Sequence, residues 1–299
     1  MKILIIGASG QVGKNILSMA DAYQGFKFTG TSRKLSNGFL SLDLTDGESV
    51  KNVFKTIRPQ ITILCSAYTD VDGCEKEPRT ARKINVEGTG LAARMCMEFG
   101  SKLVYLSTDY VFDGISGPYA ETDVPNPLSV YGATKLEGEK IVLKQKDSLI
   151  IRTTGVYSYD AGGRNFIMQL VNSCHNGRKM TVPSDQYSNP TYAPELAGFV
   201  LDLISLEKHG IYNVAGRDFL SRYEFAVKAC GIFGFDRGFI TPAETSSMRQ
   251  AAKRPLKGGL KTDKLLYEIG KIPQGAEAGL FGVVRSMAPQ EPKIKKWTQ

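Results

Sequence analysis

The chain has 299 residues and a formal net charge of +8, from 38 lysines and arginines against 30 aspartates and glutamates. The basic residues are dispersed among acids, unlike the clustered basic face of a nucleic-acid-binding protein. No apolar run approaches the roughly 20 residues that span a membrane, and the short run after Met1 ends in a glycine turn, unlike a secretion signal. We therefore expect a cytoplasmic protein that binds neither nucleic acid nor membrane.

Cysteine and histidine usage narrows the chemistry. The five cysteines are scattered without a CxxC pair, and only two histidines are present. A disulfide framework, a metal site and a histidine-based triad are therefore not expected. The positive charge suits a cleft for anionic ligands, although dispersed surface lysines would also explain it.

Strand and helix signals alternate along the first half of the chain. Short apolar runs predict strands, and longer stretches with helical spacing predict helices. The predicted strands are Lys2–Ile6, Lys27–Thr31, Phe39–Leu42, Ile61–Ser66, Leu103–Ser107 and Ser148–Arg152, and the predicted helices are Val12–Ala22, Gly47–Ile57, Pro78–Phe99 and Tyr131–Lys144. Repeated βαβ units indicate an α/β fold with a doubly wound parallel sheet.

The pattern becomes irregular after Thr153, where helices are predicted at Phe166–His175 and Pro194–Ile204. We expect residues 1–152 to form the sheet domain, with a helix near 191–206 returning to it. Residues 153–299 are expected to form mainly a smaller, substrate-binding lobe. Ligands in such folds bind beyond the carboxyl ends of the strands.

Glycines stand at every third position directly after the first predicted strand. Gly7 permits a tight turn, Gly10 lets the backbone approach a pyrophosphate, and Gly13 lets the helix pack closely on the strand. Between a strand and a helix, this spacing predicts a Rossmann dinucleotide-binding turn, with free N–H groups at the helix start. The expected cofactor contacts here are Gly7, Ser9, Gly10, Gln11, Val12 and Gly13.

The end of the second strand predicts the choice of cofactor. Ser32, Arg33 and Lys34 stand where NAD-selective enzymes place an acid for the ribose hydroxyls. A hydroxyl and two cations suit a 2′-phosphate, so we predict NADP(H), with an exposed basic loop as the alternative. Asp43 and Leu44 are expected near the adenine, although Asp43 could equally cap the next helix.

Tyr131 and Lys135 stand four residues apart, so that on a helix they share one face. A phenol with a pKa of about 10 is a poor acid-base catalyst, and a nearby ammonium together with an oxidised nicotinamide would lower that pKa. Thr108, at the end of a strand, is placed to hydrogen-bond a substrate oxygen. We predict these three residues as catalytic, with Tyr131 and Lys135 also contacting the cofactor. The alternative is that Tyr131 packs in the core and Lys135 faces water.

These motifs together resemble the extended short-chain dehydrogenase/reductase superfamily. The segments LSTDYVFDG at 106–114 and PLSVYGATKLEGE at 127–139 are similar to the dTDP-4-dehydrorhamnose reductase family, and weaker similarity extends over nearly the whole chain. The resemblance implies NADPH-dependent reduction of a 4-keto nucleotide sugar, dTDP-4-dehydrorhamnose to dTDP-rhamnose. It also implies that Asn85 organises the site and that Cys65, Ser66 and Ala67 line the cofactor. The expected substrate-binding residues are Asp109, Tyr110, Val111, Phe112, Gly155, Asn189 and Arg254.

Two positions depart from the family pattern. Relatives commonly place a tryptophan against the sugar where this chain has Gly155, which leaves the sugar preference open. They also carry an acid early in the first helix for a magnesium-bridged dimer, whereas Asn15 and Ser18 stand there. We therefore predict no structural metal, and the assembly stays open between a monomer and a homodimer.

Two other functions remain as alternatives. A nucleotide-sugar 4,6-dehydratase or epimerase is disfavoured, because Tyr110 replaces the glutamate that dehydratases place after Thr-Asp, and because the basic residues after the second strand do not suit bound NAD. A non-catalytic NADP-binding regulatory subunit, resembling that of methionine adenosyltransferase, is disfavoured only by the presence of Thr108, Tyr131 and Lys135.

Overall fold

The computed structural model describes residues 1–34, 38–162 and 165–287. Its strands, in chain order, are β1 (Lys2–Ile6), β2 (Lys27–Ser32), β3 (Leu40–Ser41), β4 (Ile61–Leu64), β5 (Lys102–Thr108), β6 (Leu149–Thr153), β7 (Val156–Tyr157), β8 (Met180–Pro183), β9 (Tyr187–Ser188), β10 (Thr191–Tyr192), β11 (Gly210–Asn213), β12 (Leu220–Ser221) and β13 (Ile240–Ala243).

The helices, in chain order, are α1 (Gln11–Leu17), α2 (Gly47–Ile57), α3 (Val71–Lys76), α4 (Pro78–Arg82), α5 (Thr89–Phe99), α6 (Val130–Val142), α7 (Phe166–His175), α8 (Ala193–Ser205), α9 (Arg222–Phe233), α10 (Asp263–Ile269) and α11 (Ala276–Met287). A π-helical segment, Lys83–Gly88, joins α4 to α5. No helix in the described part of the chain is both long and apolar enough to cross a bilayer.

Seven strands form one parallel sheet in the order β11-β6-β5-β4-β1-β2-β3. Successive residues of β1 face opposite sides of this sheet, as a strand requires. Ile3 and Ile5 pack in one cluster with α1 and α8, whereas Leu4 and Ile6 pack in another with α2 and α5. Helices therefore cover both faces, which confirms the predicted doubly wound α/β fold.

Two predicted helices differ in detail from the structure. A 3-10 turn replaces the last residues of the predicted helix Val12–Ala22, because apolar spacing alone does not distinguish these two kinds of turn. The predicted helix Pro78–Phe99 is helical throughout, but the π-helical segment divides it into α4 and α5. There Gly88 lies against Leu44, whose Cγ would be 2.8 Å from a Cβ on Gly88, so no larger residue fits without displacement.

A third cluster of apolar residues lies in the later part of the chain and joins α7, α9 and α11. The helix predicted at Pro194–Ile204 is α8, which packs on α1. The pattern did not predict β11, which pairs with β6 at the edge of the main sheet. Leu265 of α10 also belongs to the cluster that α8 covers.

Candidate active site

The glycine turn between β1 and α1 is shaped by close backbone contacts. Gly7 has φ +90°, and a Cβ there would lie 2.7 Å from Ser66 N. A Cβ on Gly13 would lie 2.6 Å from the Gly7 carbonyl oxygen, and Gly10 N donates to that same oxygen at 3.0 Å. Larger residues at Gly7 and Gly13 would force these segments apart, so the turn depends on its glycines.

The other residues of this turn have different environments. Ser9 is exposed, while Val12 packs against the core. Gln11 Nε2 donates to Ser158 Oγ at 2.9 Å, and Ser158 follows β7 in the second half of the chain. The sequence did not predict this link. Through this hydrogen bond, the Gln11 amide connects the glycine turn to the loop after β7.

The basic residues expected at the ribose lie at the carboxyl end of β2. Arg33 and Lys34 are exposed, whereas Ser32 is buried and its hydroxyl donates to the Lys34 carbonyl oxygen. Hydrogen bonds from Thr45, aided by the charge of Arg33, hold the pKa of Asp43 below its usual value. Arg33 and Asp43 therefore lie near each other, as a shared adenosine site requires.

The alternative role given to Asp43 needs correction. Asp46, rather than Asp43, caps α2, because its side chain accepts a hydrogen bond from Glu48 N at 3.1 Å. Leu44 is only 5% exposed and its side chain packs in the core beneath Gly88, so the predicted contact with the adenine would come from its backbone.

The segment after β4 borders the glycine turn. Cys65 N and Ser66 N both donate to the Ile6 carbonyl oxygen, at 2.9 and 3.0 Å, and Ala67 follows, half-buried. Burial raises the pKa of the Cys65 thiol to about 12, an effect that Lys135 opposes. Cys65 is therefore a neutral thiol and packs near Lys135.

Thr108 and Tyr131 meet at the carboxyl end of β5. Ser129 caps α6 by accepting a hydrogen bond from Gly132 N at 3.2 Å, which places Tyr131 in the first turn. Gly132 allows close approach, because a Cβ there would lie 2.1 Å from the Tyr110 carbonyl oxygen. The Thr108 hydroxyl lies close enough to the Tyr131 phenol to lower its pKa, against the effect of burial. The structure thus brings together the two groups predicted to bind the substrate oxygen.

Lys135 lies one turn further along α6 and is only 3% exposed. Its Nζ donates to the Leu106 carbonyl oxygen at 2.6 Å and lies 3.9 Å from the centre of the Tyr105 ring. Burial lowers the pKa of Lys135 to about 7, against the opposing charge of Glu139. The alternative that Lys135 faces water is therefore wrong.

The pKa of Tyr131 differs from the sequence-based expectation. Burial raises it above the ordinary value of a phenol, and the nearby Thr108 hydroxyl only partly opposes that effect. The protein groups around Tyr131 thus favour the neutral phenol, which is the form that donates a proton.

Asn85 lies in the π-helical segment and is 1% exposed. Its Oδ1 accepts from Tyr68 N at 2.7 Å, and its Nδ2 donates to the Tyr68 carbonyl oxygen and to Thr134 Oγ1, both at 3.1 Å. Thr134 directly precedes Lys135 on α6. Asn85 therefore ties the catalytic helix to the segment after β4, rather than contacting the predicted catalytic side chains directly.

The expected substrate-binding segment after Thr108 divides into two parts. The Tyr110 ring lies edge-on to Tyr131, with centroids 5.7 Å apart. Val111 and Phe112 are 0% exposed, and Phe112 stacks on Tyr119 at 4.3 Å. We therefore assign the Val111 and Phe112 side chains to the core instead of the sugar pocket, because the 3-10 turn after β5 directs them inward.

Asp109 and Asn189 are both buried, and both accept hydrogen bonds from the backbone at positions 259 and 260. Asp109 Oδ2 accepts from Gly259 N at 3.3 Å, and Asn189 Oδ1 accepts from Leu260 N at 2.8 Å. Burial raises the pKa of Asp109. Gly155 has φ +55° and is exposed beside them, with the Asn189 carbonyl oxygen 3.3 Å from where its Cβ would be.

Two arginines lie close to Tyr110. Arg254 Nη2 pairs with Asp72 Oδ1 at 3.0 Å, while its Nη1 is buried without a hydrogen-bond partner among the described residues. The Arg222 guanidinium lies 5.1 Å from the centre of the Phe166 ring. The charges of both arginines act on the Tyr110 phenol, opposing the rise in its pKa that burial causes. Sequence reasoning missed Arg222, which the capping box of Ser221 and Glu224 would have placed at a helix start.

Within the described ranges, no group of three or more histidines, cysteines, aspartates and glutamates is arranged to hold a metal ion.

Comparison with known proteins identifies the family. The family model described as the RmlD substrate binding domain matches residues 1–288. A dTDP-4-dehydrorhamnose reductase from Aggregatibacter actinomycetemcomitans is 30% identical over 300 residues, with 94% of this chain and 98% of that protein covered. A Bacillus subtilis spore coat polysaccharide biosynthesis protein is 37% identical over 227 residues, with 75% and 77% covered. The crystal structure of a Bacillus anthracis dTDP-4-dehydrorhamnose reductase in complex with NADP has a TM-score of 0.88 at 32% identity, with 95% of this chain and 99% of that chain covered. This chain belongs to the dTDP-4-dehydrorhamnose reductase family of extended short-chain dehydrogenases/reductases.

Proposed function

We propose that this protein is an NADPH-dependent reductase of a 4-keto nucleotide sugar, converting dTDP-4-dehydrorhamnose to dTDP-rhamnose. The observation that carries the proposal is the placement of the Tyr131 phenol near the Thr108 hydroxyl, with Lys135 buried one helical turn away. The pair lies at the carboxyl end of β5, the sheet edge at which the glycine turn also opens. The relative solved with NADP supports the choice of cofactor.

The residues present fit a dinucleotide. The glycine turn has no side chains at Gly7, Gly10 and Gly13 that would keep a pyrophosphate away. Arg33 is exposed at the end of β2, where it would bind a 2′-phosphate beside Asp43. Cys65, Ser66 and Ala67 would line the cofactor opposite the turn.

In this proposal each catalytic side chain has a separate task. Bound NADPH supplies the hydride that the keto carbon receives. Tyr131, held neutral by burial, donates its proton to the ketone oxygen, and Thr108 donates a hydrogen bond to that oxygen. Lys135 places an ammonium behind the cofactor site, where it would hold the ribose and stabilise the phenolate left on Tyr131.

Arg254 and Arg222 are proposed to bind the diphosphate of the nucleotide sugar. The unpartnered Nη1 of Arg254 and the nearby Arg222 guanidinium offer donors to phosphate oxygens beside Tyr110. Asp72 orients Arg254 through its ion pair. Gly155 lacks the aromatic ring that relatives place against the sugar, so we propose that this pocket holds the sugar more loosely than theirs.

The deciding experiment is turnover of dTDP-linked and GDP-linked 4-keto sugars with NADPH and with NADH. We expect oxidation of NADPH that depends on the dTDP-linked sugar. Conversion of dTDP-glucose without net NADPH consumption would instead favour a dehydratase. Binding of NADPH without reduction of any 4-keto nucleotide sugar would favour the non-catalytic regulatory subunit.

We further propose a cytoplasmic location, a homodimeric assembly, and no nucleic-acid or membrane partner. The assembly is tested by analytical ultracentrifugation of the purified protein, where a sedimenting species of one chain mass would contradict the homodimer.

A further inference from the structure

Glu139 lies on the face of α6 that carries Tyr131 and Lys135, since these residues are spaced by four. It is 1% exposed. Its Oε1 accepts from Ser107 Oγ at 2.5 Å and from Arg152 Nε at 2.9 Å, and its Oε2 accepts from Arg152 Nη2 at 2.7 Å. The carboxylate is thus held by donors from two strands.

These donors connect α6 to the strand that carries the substrate-binding hydroxyl. Ser107 directly precedes Thr108 on β5, and Arg152 lies on β6. Arg152 is itself fixed, because its Nη1 donates to the Glu121 carbonyl oxygen at 3.3 Å and its guanidinium lies 5.1 Å from the Phe112 ring centre. Glu139 therefore fixes the position of the catalytic helix relative to both strands.

A contribution to stability does not by itself explain a buried ion pair of this kind. Taking two charges out of water is costly, and apolar residues of similar volume often stabilise a protein as well or better. Arg152 and Glu139 are 2% and 1% exposed, so both bear that cost. The pair holds the Glu139 carboxylate inside the protein, one turn along α6 from Lys135.

Lys135 has few other groups that favour its charge. Around its Nζ are the Leu106 carbonyl oxygen, the Tyr105 ring and the neutral thiol of Cys65. Glu139 is the carboxylate whose charge opposes the effect of burial on this lysine.

Other acids on or packed against α6 are engaged elsewhere. Glu75 of α3 accepts a hydrogen bond from Val130 N at 2.7 Å, and Glu137 pairs with Arg82 of α4 at 2.9 Å on the exposed side. Asp109, on the 3-10 turn that packs against α6, accepts from Gly259 N at 3.3 Å. Among the described carboxylates, Glu139 is the one whose charge offsets the burial of Lys135.

We infer that Glu139 is a positioning residue, which places a carboxylate one helical turn from Lys135 and fixes the catalytic helix against the strand of Thr108. The inference rests on the proposed function for the role of Lys135 in turnover. Its effect on the charge of Lys135 is measurable without any sugar.

The test uses the double variant Glu139→Gln/Arg152→Met, which removes both buried charges and leaves neither unpaired. The single variant Glu139→Gln leaves the buried Arg152 charge unpaired and would unfold more readily. It is used only if its circular dichroism spectrum matches that of the parent protein. The pH dependence of NADPH binding and of kcat is measured for each protein. Glu137→Gln, which breaks the exposed pair on the same helix, is the matched control.

A lysine is charged below its pKa, so loss of Glu139 makes Lys135 lose its proton at lower pH. We expect the alkaline limbs of NADPH affinity and of kcat to move down by about one pH unit. Activity should recover toward the parent value at low pH, and Glu137→Gln should leave both limbs in place.

An unchanged alkaline limb in a folded double variant would overturn the inference, as would an equal shift in Glu137→Gln. Failure of the unmodified protein to reduce any 4-keto nucleotide sugar would overturn the proposed function instead. The pH dependence of NADPH binding would then still decide the role of Glu139.

Discussion

Gln11 and Ser158 are joined by a hydrogen bond of 2.9 Å, although 147 positions separate them in the sequence. Gln11 opens the helix after the glycine turn, and Ser158 follows β7 and is 4% exposed. Ser158 is fixed in turn, because its carbonyl oxygen accepts from Asn165 Nδ2 at 2.9 Å. This contact connects the proposed cofactor site to the residues that begin the second half of the chain.

Gln11→Ala and Ser158→Ala should each lower the free energy of unfolding by about 0.5–1.5 kcal/mol, the usual contribution of one hydrogen bond. Because they remove the same interaction, the double variant should lose little more than either single variant. Urea unfolding measures this coupling. Ser18→Ala, which removes only a local hydrogen bond to Asn15, is the control. Fully additive losses would show that the two residues act separately.

Arg33→Ala should weaken NADPH binding by about 1.5–3 kcal/mol, the range for a hydrogen bond to a charged group. NADH binding should barely change, because NADH lacks the 2′-phosphate. Fluorescence titration with both cofactors measures the difference, and Lys55→Ala, an exposed cation on α2, is the control. Equal affinity of the unmodified protein for NADH and NADPH would contradict the role given to Arg33.

Tyr131→Phe should lower kcat by about 10²–10⁴, the effect of losing a general acid. NADPH affinity should remain nearly intact, since the change removes a single hydroxyl. The same substitution at Tyr267, which is 85% exposed, controls for general effects. Steady-state kinetics that show undiminished turnover in Tyr131→Phe would exclude this residue from the mechanism.

NADPH affinity should decrease as the pH rises through about 7, the value to which burial lowers the pKa of Lys135. Below that pH the lysine is charged and can hold the ribose, and above it the charge is lost. Titrations over a pH series measure this dependence. Lys135→Met should bind weakly at every pH, and a pH step that persists in this variant would have to arise from another group.

Gly155→Ala should destabilise the protein by about 1–2 kcal/mol, because a residue with a Cβ is strained in the left-handed region that Gly155 occupies at φ +55°. Gly25→Ala is the control for thermal unfolding, because Gly25 has no positive φ and a Cβ added there would meet no heavy atom within 4 Å. Equal stability of both variants would contradict this account.

Gly155→Trp tests the sugar preference at the same position. We expect a change in the ratio of kcat/KM between dTDP-linked 4-keto sugars, because the ring would fill the space beside Asn189. An improved kcat/KM for dTDP-4-dehydrorhamnose would indicate a relaxed form of the family's pocket, and loss of activity toward another preferred sugar would indicate altered specificity. An unchanged ratio would place the position outside the pocket.

The parts of the site that the sequence predicted are those encoded by local spacing. The glycine turn needs three glycines within seven residues, and the helix places Tyr131 and Lys135 on one face whatever surrounds them. The pairing of Glu139 with Arg152 depends on how a helix packs on two strands, so no local pattern reveals it. The inward orientation of the Val111 and Phe112 side chains was not predicted, for a related reason. Proximity to a catalytic residue does not determine which way a side chain points after a turn.

The position of β11 bears on how the protein is made. When a ribosome has released residues 1–152, β6 still lacks its outer neighbour, because that neighbour is Gly210–Asn213. The apolar face that includes Ile3 and Ile5 also lacks α8, which arrives only with residues 193–205. An unpaired strand edge and an uncovered apolar face invite contact with other chains. The sheet domain therefore completes its fold late in synthesis. A fragment that contains only residues 1–152 should aggregate rather than bind the cofactor on its own.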